Sequence, residues 1–590
     1  MGVALRERII EGPALKRRFH TLKEMFEATL AKVPDQVFMR ERTPDGWREI
    51  SYRQMHDLAR RVGALLRDHG LSEERPLAIL SGNSIDHAIF SFAGILRGIP
   101  VSPISAAYAK FSDQTRLRAI FDILTPGLVF AESGVACANG LGVADEIGAL
   151  VLVSREARPA SHDRIWSELT GAIRDDTRET LPVTPQTIAK VLFTSGSTGS
   201  PKGVIVTNEM SCADQDGIAQ FWPFLEEVPP VAVDWLPWSH IFGGNMIVNL
   251  VLRNAGTLTI DEGRPNAQQF GLTIRNLREV RPTMHFGVPI AYRELANALE
   301  RDETLAAAFF SRLRRMFTAG SALPVDVWDR LHALAARHGR PDFCFHIGWG
   351  ATETAPVVSM SPIHNRRADS IGVPIAGARI KMVPSADKLE LRVSGPMVTP
   401  GYWRSPDLTK KAFDAEGYYC IGDAGRLLDE SDPAQGIIFD GRTAENFKLS
   451  SGTWVAVTAL TLSVLQSGAP VIQDVAITGQ DRDEIGLMVF PNLEACRSLT
   501  GLHDADMDAL VLHADVRAFI VETMRKVNRG GSSTRIMRAM LLTDRPSVER
   551  GEMTDKGYLN QRAVLRARED AIARLYSDPD GDVLYAHASS

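Results

Sequence analysis

The stretch from residue 191 to 204, VLFTSGSTGSPKGV, decides how the rest of the chain is interpreted. A β-branched and aromatic run from Ala189 to Phe193 predicts a buried strand, which breaks into Ser, Thr and Gly before Lys202. Glycines let backbone N–H groups close around an anion, hydroxyls add donors, and a lysine adds positive charge. The stretch therefore predicts a phosphate-binding loop. The alternative is an ordinary hairpin loop between two strands, because Ser/Gly loops are common and usually solvated.

Two other phosphate motifs do not fit. A Walker loop needs four residues between its glycines and then Gly-Lys-Ser/Thr, and a dinucleotide fold needs G-x-G-x-x-G at the start of a helix. The residues instead resemble, almost letter for letter, the phosphate-binding loop of the adenylate-forming superfamily, which contains acyl-CoA synthetases, luciferases and peptide-synthetase adenylation domains. The resemblance implies a catalytic role for Thr194 and nucleotide contacts from Thr194, Ser195, Gly196, Ser197, Thr198, Gly199 and Lys202.

Length and composition set broad limits. At 590 residues and 44% hydrophobic, the chain can bury large cores, and its length predicts two or more domains. A net charge of −6 gives no electrostatic case for nucleic acid or an anionic membrane as the main partner. The five cysteines are far apart, which predicts neither a disulfide framework nor a zinc site. The N-terminus has no long apolar core, so we expect a cytoplasmic protein without a membrane span.

The first half of the chain alternates between strand and helix patterns. Pro76–Leu80 is a continuous apolar strand, Asn83 or Ser84 can cap a helix over Ile85–Leu96, and Val101–Ile104 is the next strand. Strand, helix and strand at this spacing form a βαβ unit and predict a mostly parallel sheet.

The pattern changes towards the C-terminus. After Gly377 the chain predicts short strands with turns, and residues 441–452 form a polar, glycine-bounded linker. Together with the resemblance, this predicts an α/β protein with a large N-terminal domain of doubly wound sheets plus a distorted β-barrel, and a small, mobile α+β C-terminal domain. The predicted boundaries are 1–440 for the nucleotide- and acid-binding domain, 441–452 for a hinge and 453–590 for the lid domain.

A second motif is WLPWSHIFGG at residues 235–244. On its own it can be an aromatic-rich strand end in the core, with His240 satisfied by backbone groups. It resembles the family's L-P-x-x-H-x-x-G segment, which implies an acid-binding tunnel and a catalytic role for His240. The substrate-binding residues implied are Trp238, His240, Phe242, Gly243, His285, Gly320 and Gly348.

Two further motifs resemble the family's adenine site. FTAGSALP at 317–324 and GWGATE at 348–353, with Trp349 for the family's tyrosine, imply nucleotide contacts from Gly320, Ser321, Ala322, Gly348, Trp349, Gly350, Ala351, Thr352 and Glu353. An aromatic ring can stack on adenine, Thr352 can donate to a phosphate, and Glu353 offers Mg²⁺ a hard oxygen and a catalytic role. The alternatives are ordinary glycine turns and a solvated surface glutamate.

YCIGDAGR at 419–426 resembles the family's T-G-D segment with Ile421 in place of threonine. It implies that Asp423 accepts hydrogen bonds from both ribose hydroxyls, although a turn aspartate capping a hairpin is common. The next residues resemble the family's hinge, where Arg442 would hold ribose or phosphate oxygens and Ala444 replaces the usual Asp or Lys pivot. Lys448 is implied to contact CoA, with a surface lysine as the alternative.

PSVERGEMTDK at residues 546–556 resembles the segment that carries the family's mobile lysine, which makes Lys556 the predicted catalytic lysine. A charged ammonium can neutralise charge that develops when a carboxylate attacks the α-phosphate. The competing candidate, Lys526, fits better as a lysine at the end of a helix.

Within the superfamily the chain most resembles bacterial feruloyl-CoA synthetases, through stretches such as ILSGNSIDHA, ENFKLSSGTWV and GEMTDKGYLNQRAVL. It departs from them at Ser239, Ile241, Met246 and Ile247, where apolar tunnel walls would favour a less hydroxylated acid. The resemblance implies an AMP-forming acyl-CoA ligase for an aromatic, hydroxycinnamate-like acid, with ATP, Mg²⁺ and coenzyme A. The partners it implies are small molecules, and it allows a homodimer.

Three alternatives stay open from the sequence. The chain can be a fatty acyl-CoA synthetase, since the LSSG insertion and an apolar tunnel also occur there. It can be an adenylation module that loads a separate carrier protein or feeds a reductase. It can also be an inactive binding protein on the same fold, which the presence of Lys202, Glu353, Asp423 and Lys556 argues against.

Overall fold

The computed structural model describes residues 6–159, 161–170, 182–195, 200–266, 268–320, 323–341, 343–362, 367–385, 388–443, 445–528, 534–554, 557, 559–578 and 581–586. Its strands are β1 Arg8–Glu11, β2 Val37–Thr43, β3 Gly46–Ser51, β4 Leu77–Leu80, β5 Val101–Pro103, β6 Leu128–Ser133, β7 Leu150–Arg155, β8 Arg164–Ile165, β9 Ile188–Ser195, β10 Pro201–Thr207, β11 Val231–Asp234, β12 Thr257–Ile260, β13 Met284–Gly287, β14 Arg315–Thr318, β15 Cys344–Trp349, β16 Ser359–Met360, β17 Ser370–Pro374, β18 Arg379–Ser385, β19 Lys388–Ser394, β20 Tyr419–Leu427, β21 Ile437–Arg442, β22 Phe447–Lys448, β23 Trp454–Val455, β24 Ile472–Thr478, β25 Ile485–Pro491, β26 Ile536–Leu541 and β27 Leu584–Tyr585.

The α-helices alternate with these strands. They are α1 Leu22–Lys32, α2 Tyr52–Asp68, α3 Ile85–Arg97, α4 Thr115–Leu124, α5 Ala138–Glu146, α6 Trp166–Thr170, α7 Asn208–Phe221, α8 Val248–Arg253, α9 Phe270–Val280, α10 Pro289–Arg301, α11 Glu303–Phe310, α12 Val325–Arg337, α13 Pro406–Ala412, α14 Val457–Ser467, α15 Leu493–Thr500, α16 Met507–Leu512, α17 Ala514–Val527, α18 Gln561–Ala567 and α19 Glu569–Ser577. A π-helix, Phe242–Ile247, leads directly into α8.

A seven-stranded sheet in the order β10-β9-β5-β4-β6-β7-β8 contains the predicted βαβ unit. Strands β9, β5, β4, β6, β7 and β8 pair in parallel, and only β10, the return strand of the β9 hairpin, is antiparallel within this sheet as described. The Ser84 hydroxyl accepts from the His87 N–H and starts α3, which ends at Gly98 with φ 69°. The hydroxyl satisfies a backbone donor at the helix start, and glycine tolerates the left-handed conformation at the end.

A ten-stranded sheet has the order β1-β18-β19-β20-β21-β17-β16-β15-β14-β13. Strands β13, β14 and β15 are parallel, whereas the rest pair antiparallel. The antiparallel part covers the region after Gly377 where short strands with turns were predicted. A four-stranded sheet, β11-β12-β2-β3, completes the N-terminal part.

The C-terminal part has its own sheet and its own cores. Strands β24 to β27 form a four-stranded sheet, and β22 pairs with β23 in a separate hairpin. Among the described residues, each cluster of buried apolar side chains lies either before residue 440 or after residue 446, and Phe439 and Phe447 border this division. The division falls next to the predicted hinge, whose movement stays a prediction. No helix in the described part of the chain has the length and apolarity that crossing a membrane requires.

Candidate active site

The β9–β10 hairpin carries the VLFTSGSTGSPKGV stretch, residues 191–204. Strand β9 continues to Ser195, two residues beyond the predicted end, and Thr194 pairs with Lys202 of β10. The two flanks of the stretch therefore form a β-hairpin, which was the alternative interpretation. A hairpin can also present its turn to a phosphate, so phosphate binding stays a prediction. Residues Gly196, Ser197, Thr198 and Gly199, at the turn, lie outside the described residues.

Lys202 and Glu353 both contact Tyr402. The Lys202 Nζ atom lies 5.5 Å from the centre of the Tyr402 ring, and the Tyr402 hydroxyl donates to Glu353 Oε1 at 2.9 Å. The Tyr419 hydroxyl lies 3.5 Å from that of Tyr402. Burial, followed by the charge of Glu353, raises the pKa of both tyrosines, so their hydroxyls stay protonated as donors. The predicted phosphate lysine and the predicted metal ligand therefore share one surface.

Sequence reasoning missed both tyrosines. Tyr402 reaches the site because Val204 of β10 forms a β-bridge with it, and the Trp403 N–H donates to the Gly203 oxygen at 2.7 Å. The aromatic residues in GYWR and GYYC were the available signal. Tyr402 lies outside the motifs, and Tyr419 begins the YCIGDAGR stretch, in which only Asp423 was given a role.

The predicted adenine and ribose residues touch each other. The Trp349 Nε1–H donates to Asp423 Oδ2 at 2.8 Å, and Arg442 Nε lies 3.1 Å from Asp423 Oδ1. Burial raises the pKa of Asp423, while Arg442 and the Trp349 hydrogen bond act in the opposite direction. Asp423 and Arg442 are cross-strand partners in β20 and β21, so the sheet fixes their separation. The carboxylate is thus held in place by an indole and a guanidinium.

The turn after β15 depends on glycine. Gly350 has φ 154°, and a Cβ there would lie 1.8 Å from the Pro356 oxygen. A Cβ on Gly348 would lie 2.2 Å from the Phe317 ring. Thr352 and Glu353 follow in a short 3₁₀ turn, and the Glu353 backbone oxygen accepts from the Thr399 N–H at 2.8 Å. These close approaches place Glu353 beside Tyr402. Ala351, at the start of the turn, is half-buried.

The WLPWSHIFGG segment folds back on itself before the π-helix. A Cβ on Gly243 would lie 2.5 Å from the Leu236 oxygen, and one on Gly244 would lie 2.1 Å from the Trp238 oxygen. Only glycines allow the π-helix to pack this closely on the preceding loop. His240 is half-buried at the start of this helix. Phe242 packs its ring 5.6 Å from that of Phe317, which places it under the Gly348 turn.

His285 does not join this group. Its ring lies 5.6 Å from Tyr292 and 5.5 Å from Phe309, in the cluster formed by the outer helices. The next residue, Phe286, packs against Phe317 instead, because neighbouring side chains of a strand point to opposite faces. This placement argues against the predicted substrate contact of His285, and Phe286 is the β13 side chain on the face of Phe317. Gly320 is exposed at the end of β14, and Ser321 and Ala322 lie outside the described residues.

Lys556 also lies outside the described residues, between Thr554 and Gly557. Met553 and Leu559 form an antiparallel bridge, and the Gly557 N–H donates to the Thr554 oxygen at 2.9 Å. This segment touches the N-terminal part: the Ser112 hydroxyl lies 3.4 Å from Glu549 Oε1. A Cβ on Gly557 would lie 3.9 Å from Ile290 Cγ2, at the start of α10.

An ion-pair network holds these flanks together. Glu552 is fully buried and accepts from the Ser547 N–H at 2.8 Å and from Arg568 Nε at 2.6 Å. Arg568 also pairs with Asp544, at 2.5 Å, and Arg550 lies 3.1 Å from Glu552 Oε2. A buried carboxylate with several donors is well compensated, so it can fix the shape of the segment.

Two lysines lie away from this site. Lys448 in β22 has its Nζ atom 4.9 Å from the ring of Trp454, which is 39% exposed. Lys526 lies in the last turn of α17 and is exposed, as the helix-end interpretation predicts. Among the described residues no group of three or more His, Cys, Asp or Glu side chains could hold a metal ion by itself.

Two family models match the chain and together span most of it. The family model for the AMP-binding enzyme matches residues 26–403, and the model for the AMP-binding enzyme C-terminal domain matches residues 447–580. The chain belongs to the AMP-binding enzyme family, the adenylate-forming superfamily indicated by its sequence motifs.

Curated relatives differ in the acids that their names state. The chain is 24% identical to a long-chain-fatty-acid–CoA ligase ACSBG1 of Bos taurus, over 97% of this chain and 87% of that protein. It is 26% identical to a 4-hydroxybenzoate–CoA/benzoate–CoA ligase of Rhodopseudomonas palustris, over 74% and 78%. It is 22% identical to a probable acyl-activating enzyme 16 of Arabidopsis thaliana, over 67% of this chain and 64% of that protein.

Solved structures share the fold. ATP-bound MatB from Rhodopseudomonas palustris superposes with a TM-score of 0.72 at 19% identity, covering 93% of this chain and 99% of that one. The A domain of carboxylic acid reductase from Segniliparus rugosus, in complex with AMP and a carboxylic acid, gives 0.74 at 18% identity, covering 95% and 94%. The expected α/β fold class, with a large N-terminal domain and a smaller C-terminal domain, is confirmed.

Proposed function

We propose that this protein is an AMP-forming acid–thiol ligase, which activates a carboxylic acid with ATP and transfers the acyl group to coenzyme A. The proposal is carried by the contacts of Lys202, Glu353 and Asp423, which are distant in sequence. Lys202 lies over the ring of Tyr402, and the Tyr402 hydroxyl donates to Glu353. Tyr419 lies beside Tyr402, and Trp349 donates to Asp423. The acid is proposed to be aromatic and hydroxycinnamate-like, which the resemblance to feruloyl-CoA synthetases and the hydroxybenzoate relative support.

Two steps follow from this arrangement. In the first, a carboxylate oxygen attacks the α-phosphorus of ATP, and pyrophosphate leaves. Asp423 would accept the ribose hydroxyls, Trp349 would face adenine, and Lys202 and Lys556 would stabilise charge on the phosphate oxygens. In the second, the CoA thiol loses its proton, the sulfur attacks the acyl carbon, and AMP leaves. Adenylation is needed because a carboxylate is a poor electrophile, whereas the mixed anhydride has a good leaving group.

Glu353 is suited to hold Mg²⁺. Its carboxylate is almost buried and accepts a hydrogen bond from Tyr402, which orients one oxygen while the other can face a cation. Mg²⁺ usually binds one or two carboxylates together with substrate phosphates, so a single glutamate fits this donor set. The bound cation would neutralise charge on the phosphates beside a carboxylate.

A panel of acids tests the proposal. Acid-dependent exchange of labelled pyrophosphate into ATP would be measured with cinnamates, benzoates and fatty acids, followed by formation of the acyl-CoA. A cinnamate should give the highest kcat/KM. Preference for long-chain acids would favour the fatty acyl-CoA ligase alternative, to which the bovine relative points. Exchange without acyl transfer to free CoA would favour a carrier-loading enzyme, and absence of exchange with every acid would contradict the proposal.

A further inference from the structure

A buried group of polar side chains lies between α7, the π-helix and the turn that follows Glu353. Asp214 and Asn245 are fully buried, and so are Ser211 and Gln215 to within 1% of their surface. Burying polar groups is unfavourable unless they form hydrogen bonds, so such a group in a core is expected to satisfy specific partners. Its partners include the backbone just beyond Glu353.

The turn that carries Glu353 ends in an unfavourable backbone conformation. Ala355, two residues after Glu353, is fully buried and has φ 71°. A residue with a Cβ atom seldom adopts this left-handed conformation, which persists only where the surrounding structure fixes it. The shape of the turn therefore depends on contacts from outside it.

Two side chains supply such contacts, one on each side of the strained position. The Asn245 Nδ2–H donates to the Ala355 oxygen at 3.0 Å, and Asp214 Oδ1 accepts from the Val357 N–H at 2.9 Å. Ala355 and Val357 are both buried, so water cannot easily replace a lost partner. The end of the turn is thus held by one donor and one acceptor.

Asn245 is itself held in one orientation. Its Oδ1 atom accepts from the Ser211 hydroxyl at 3.2 Å and from the Asn249 Nδ2–H at 3.0 Å. Because the amide oxygen faces these two donors, the amide nitrogen is the atom that faces Ala355. The donor to the turn is therefore fixed by α7 and α8.

Gln215 joins the two anchors. Its Nε2 atom donates to Asp214 Oδ2 at 3.1 Å and to the Met246 oxygen at 3.2 Å. Asn245 and Met246 are consecutive residues of the π-helix, which begins at Phe242. The group therefore ties the end of the Glu353 turn to the helix in which acid contacts were predicted.

A displacement of Ala355 would be passed on to Glu353. The Thr354 hydroxyl accepts from the Ala351 N–H at 2.9 Å and donates to the Pro356 oxygen at 2.8 Å, so the turn is braced across Glu353. Mg²⁺ requires a nearly ideal octahedral arrangement of its oxygen ligands. A small misplacement of the Glu353 carboxylate should therefore weaken metal binding.

We infer that Asn245 is a positioning residue for the metal site, because it holds the turn in which Glu353 faces the Mg²⁺ of bound ATP. Asp214 supports the same turn from the other side. Asn245 acts through the backbone of the turn. The inference rests on the proposed function and adds to it a residue that lies outside the predicted nucleotide and metal contacts.

The test measures how much Mg²⁺ strengthens the binding of ATP. Isothermal titration calorimetry gives the Kd of ATP with saturating Mg²⁺ and with EDTA, and the ratio of the two values cancels any loss of affinity common to both. Asn245→Leu keeps the approximate volume of the side chain but removes the donor to Ala355. We expect the benefit of Mg²⁺ to fall about fivefold or more. The Kd of AMP in EDTA should stay near the wild-type value, because AMP has no β- or γ-phosphate.

A matched control and a double variant separate positioning from general damage. Asn208 on α7 is 1% exposed, and its amide holds the Thr187 oxygen and the Leu22 N–H, each at 2.9 Å. Asn208→Leu makes the same chemical change away from the turn and should leave the benefit of Mg²⁺ at the wild-type value. In a Glu353→Gln background, Asn245→Leu should cause no further fall, because its effect passes through Glu353.

Ser211→Ala is the milder variant. It removes one donor that orients Asn245 and should lower the benefit of Mg²⁺ about twofold, which serves if Asn245→Leu fails to fold. An unchanged benefit in both variants, an equal fall in Asn208→Leu, or an undiminished effect of Asn245→Leu in the Glu353→Gln background would overturn the inference and leave the proposed function standing. Absence of ATP binding by the wild-type protein would overturn both.

Discussion

The predicted nucleotide site and the Lys556 segment are built in different ways. Around Glu353 and Asp423, the contacts of Trp349 with Asp423 and of Lys202 with Tyr402 join residues far apart in sequence, although Asp423 also pairs with Arg442 of the neighbouring strand. Around Lys556, the contacts are local, with Glu552 and Arg568 only sixteen residues apart. The first site is fixed by the folding of the whole N-terminal part. The second is a compact piece that can keep its shape when it changes position.

The described part of the segment approaches the N-terminal part at Ser112, Arg116 and Ile290. The Ser112–Glu549 contact is at the limit of a hydrogen bond, and the approach of Gly557 to Ile290 is an ordinary van der Waals distance. Weak docking would suit the predicted lid, which acts in one step and withdraws in the next.

Lys556→Ala should have the largest effect, and only on the first step. Loss of a positioned charge beside the α-phosphate should reduce pyrophosphate exchange about 10²- to 10³-fold, while acyl transfer from supplied acyl-adenylate to CoA stays near the wild-type rate. Lys526→Ala, at the exposed end of α17, is the matched control and should change neither step. Wild-type exchange in the Lys556 variant would contradict the assignment of this lysine.

Glu552→Gln should come next. Breaking a buried ion pair commonly costs about 3–5 kcal/mol, and here the cost falls on the segment that presents Lys556. We expect exchange to fall more than acyl transfer, because Glu552 is a positioning residue for the first step. Glu549→Gln, on the same segment but exposed, should have little effect. Equal losses in both steps would instead indicate general destabilisation of the C-terminal part.

Asp423→Asn should weaken ATP binding with a smaller change in kcat. Hydrogen bonds to a charged group are worth about 1.5–3 kcal/mol, so KM for ATP should rise about tenfold or more. The ribose contact can be isolated by repeating the measurement with 2′-deoxy-ATP. The wild-type preference for ATP over 2′-deoxy-ATP should shrink in the variant. A preference that stays the same would mean that Asp423 does not contact this hydroxyl.

The smallest effects concern the surroundings of Glu353. Glu353→Gln should raise the Mg²⁺ concentration that half-maximal exchange requires, and Tyr402→Phe should shift it in the same direction but less, because only an orienting hydrogen bond is lost. Tyr419→Phe should shift it least, since its hydroxyl lies 3.5 Å from Tyr402. Identical Mg²⁺ titrations for the Glu353 variant and the wild-type protein would contradict the metal-binding role.

The pattern of neighbouring residues was sufficient to predict several helices and strands of the N-terminal part. The predicted helix at Ile85–Leu96 is α3, its Ser84 cap is present, and the Pro76–Leu80 and Val101–Ile104 strands are β4 and β5. These succeed because capping and hydrophobic periodicity are properties of neighbouring residues.

The site was harder to predict because it depends on long-range pairing. Tyr402 and Tyr419 come close to Glu353 only after β10 and β20 are placed. Tyr402 lies in no motif, and the role predicted for YCIGDAGR concerns Asp423 rather than Tyr419. The prediction for His285 meets a different difficulty, since a shift of one residue along a strand exchanges the two faces, and its ring packs on the face of Tyr292 and Phe309.

The separation of the apolar cores near residue 440 has a calorimetric consequence. Two regions that share no hydrophobic cluster among the described residues can unfold as separate cooperative units, so heating the ligand-free chain should give two overlapping heat-absorption peaks. An acyl-adenylate held by both regions would couple them by mass action and draw the peaks together.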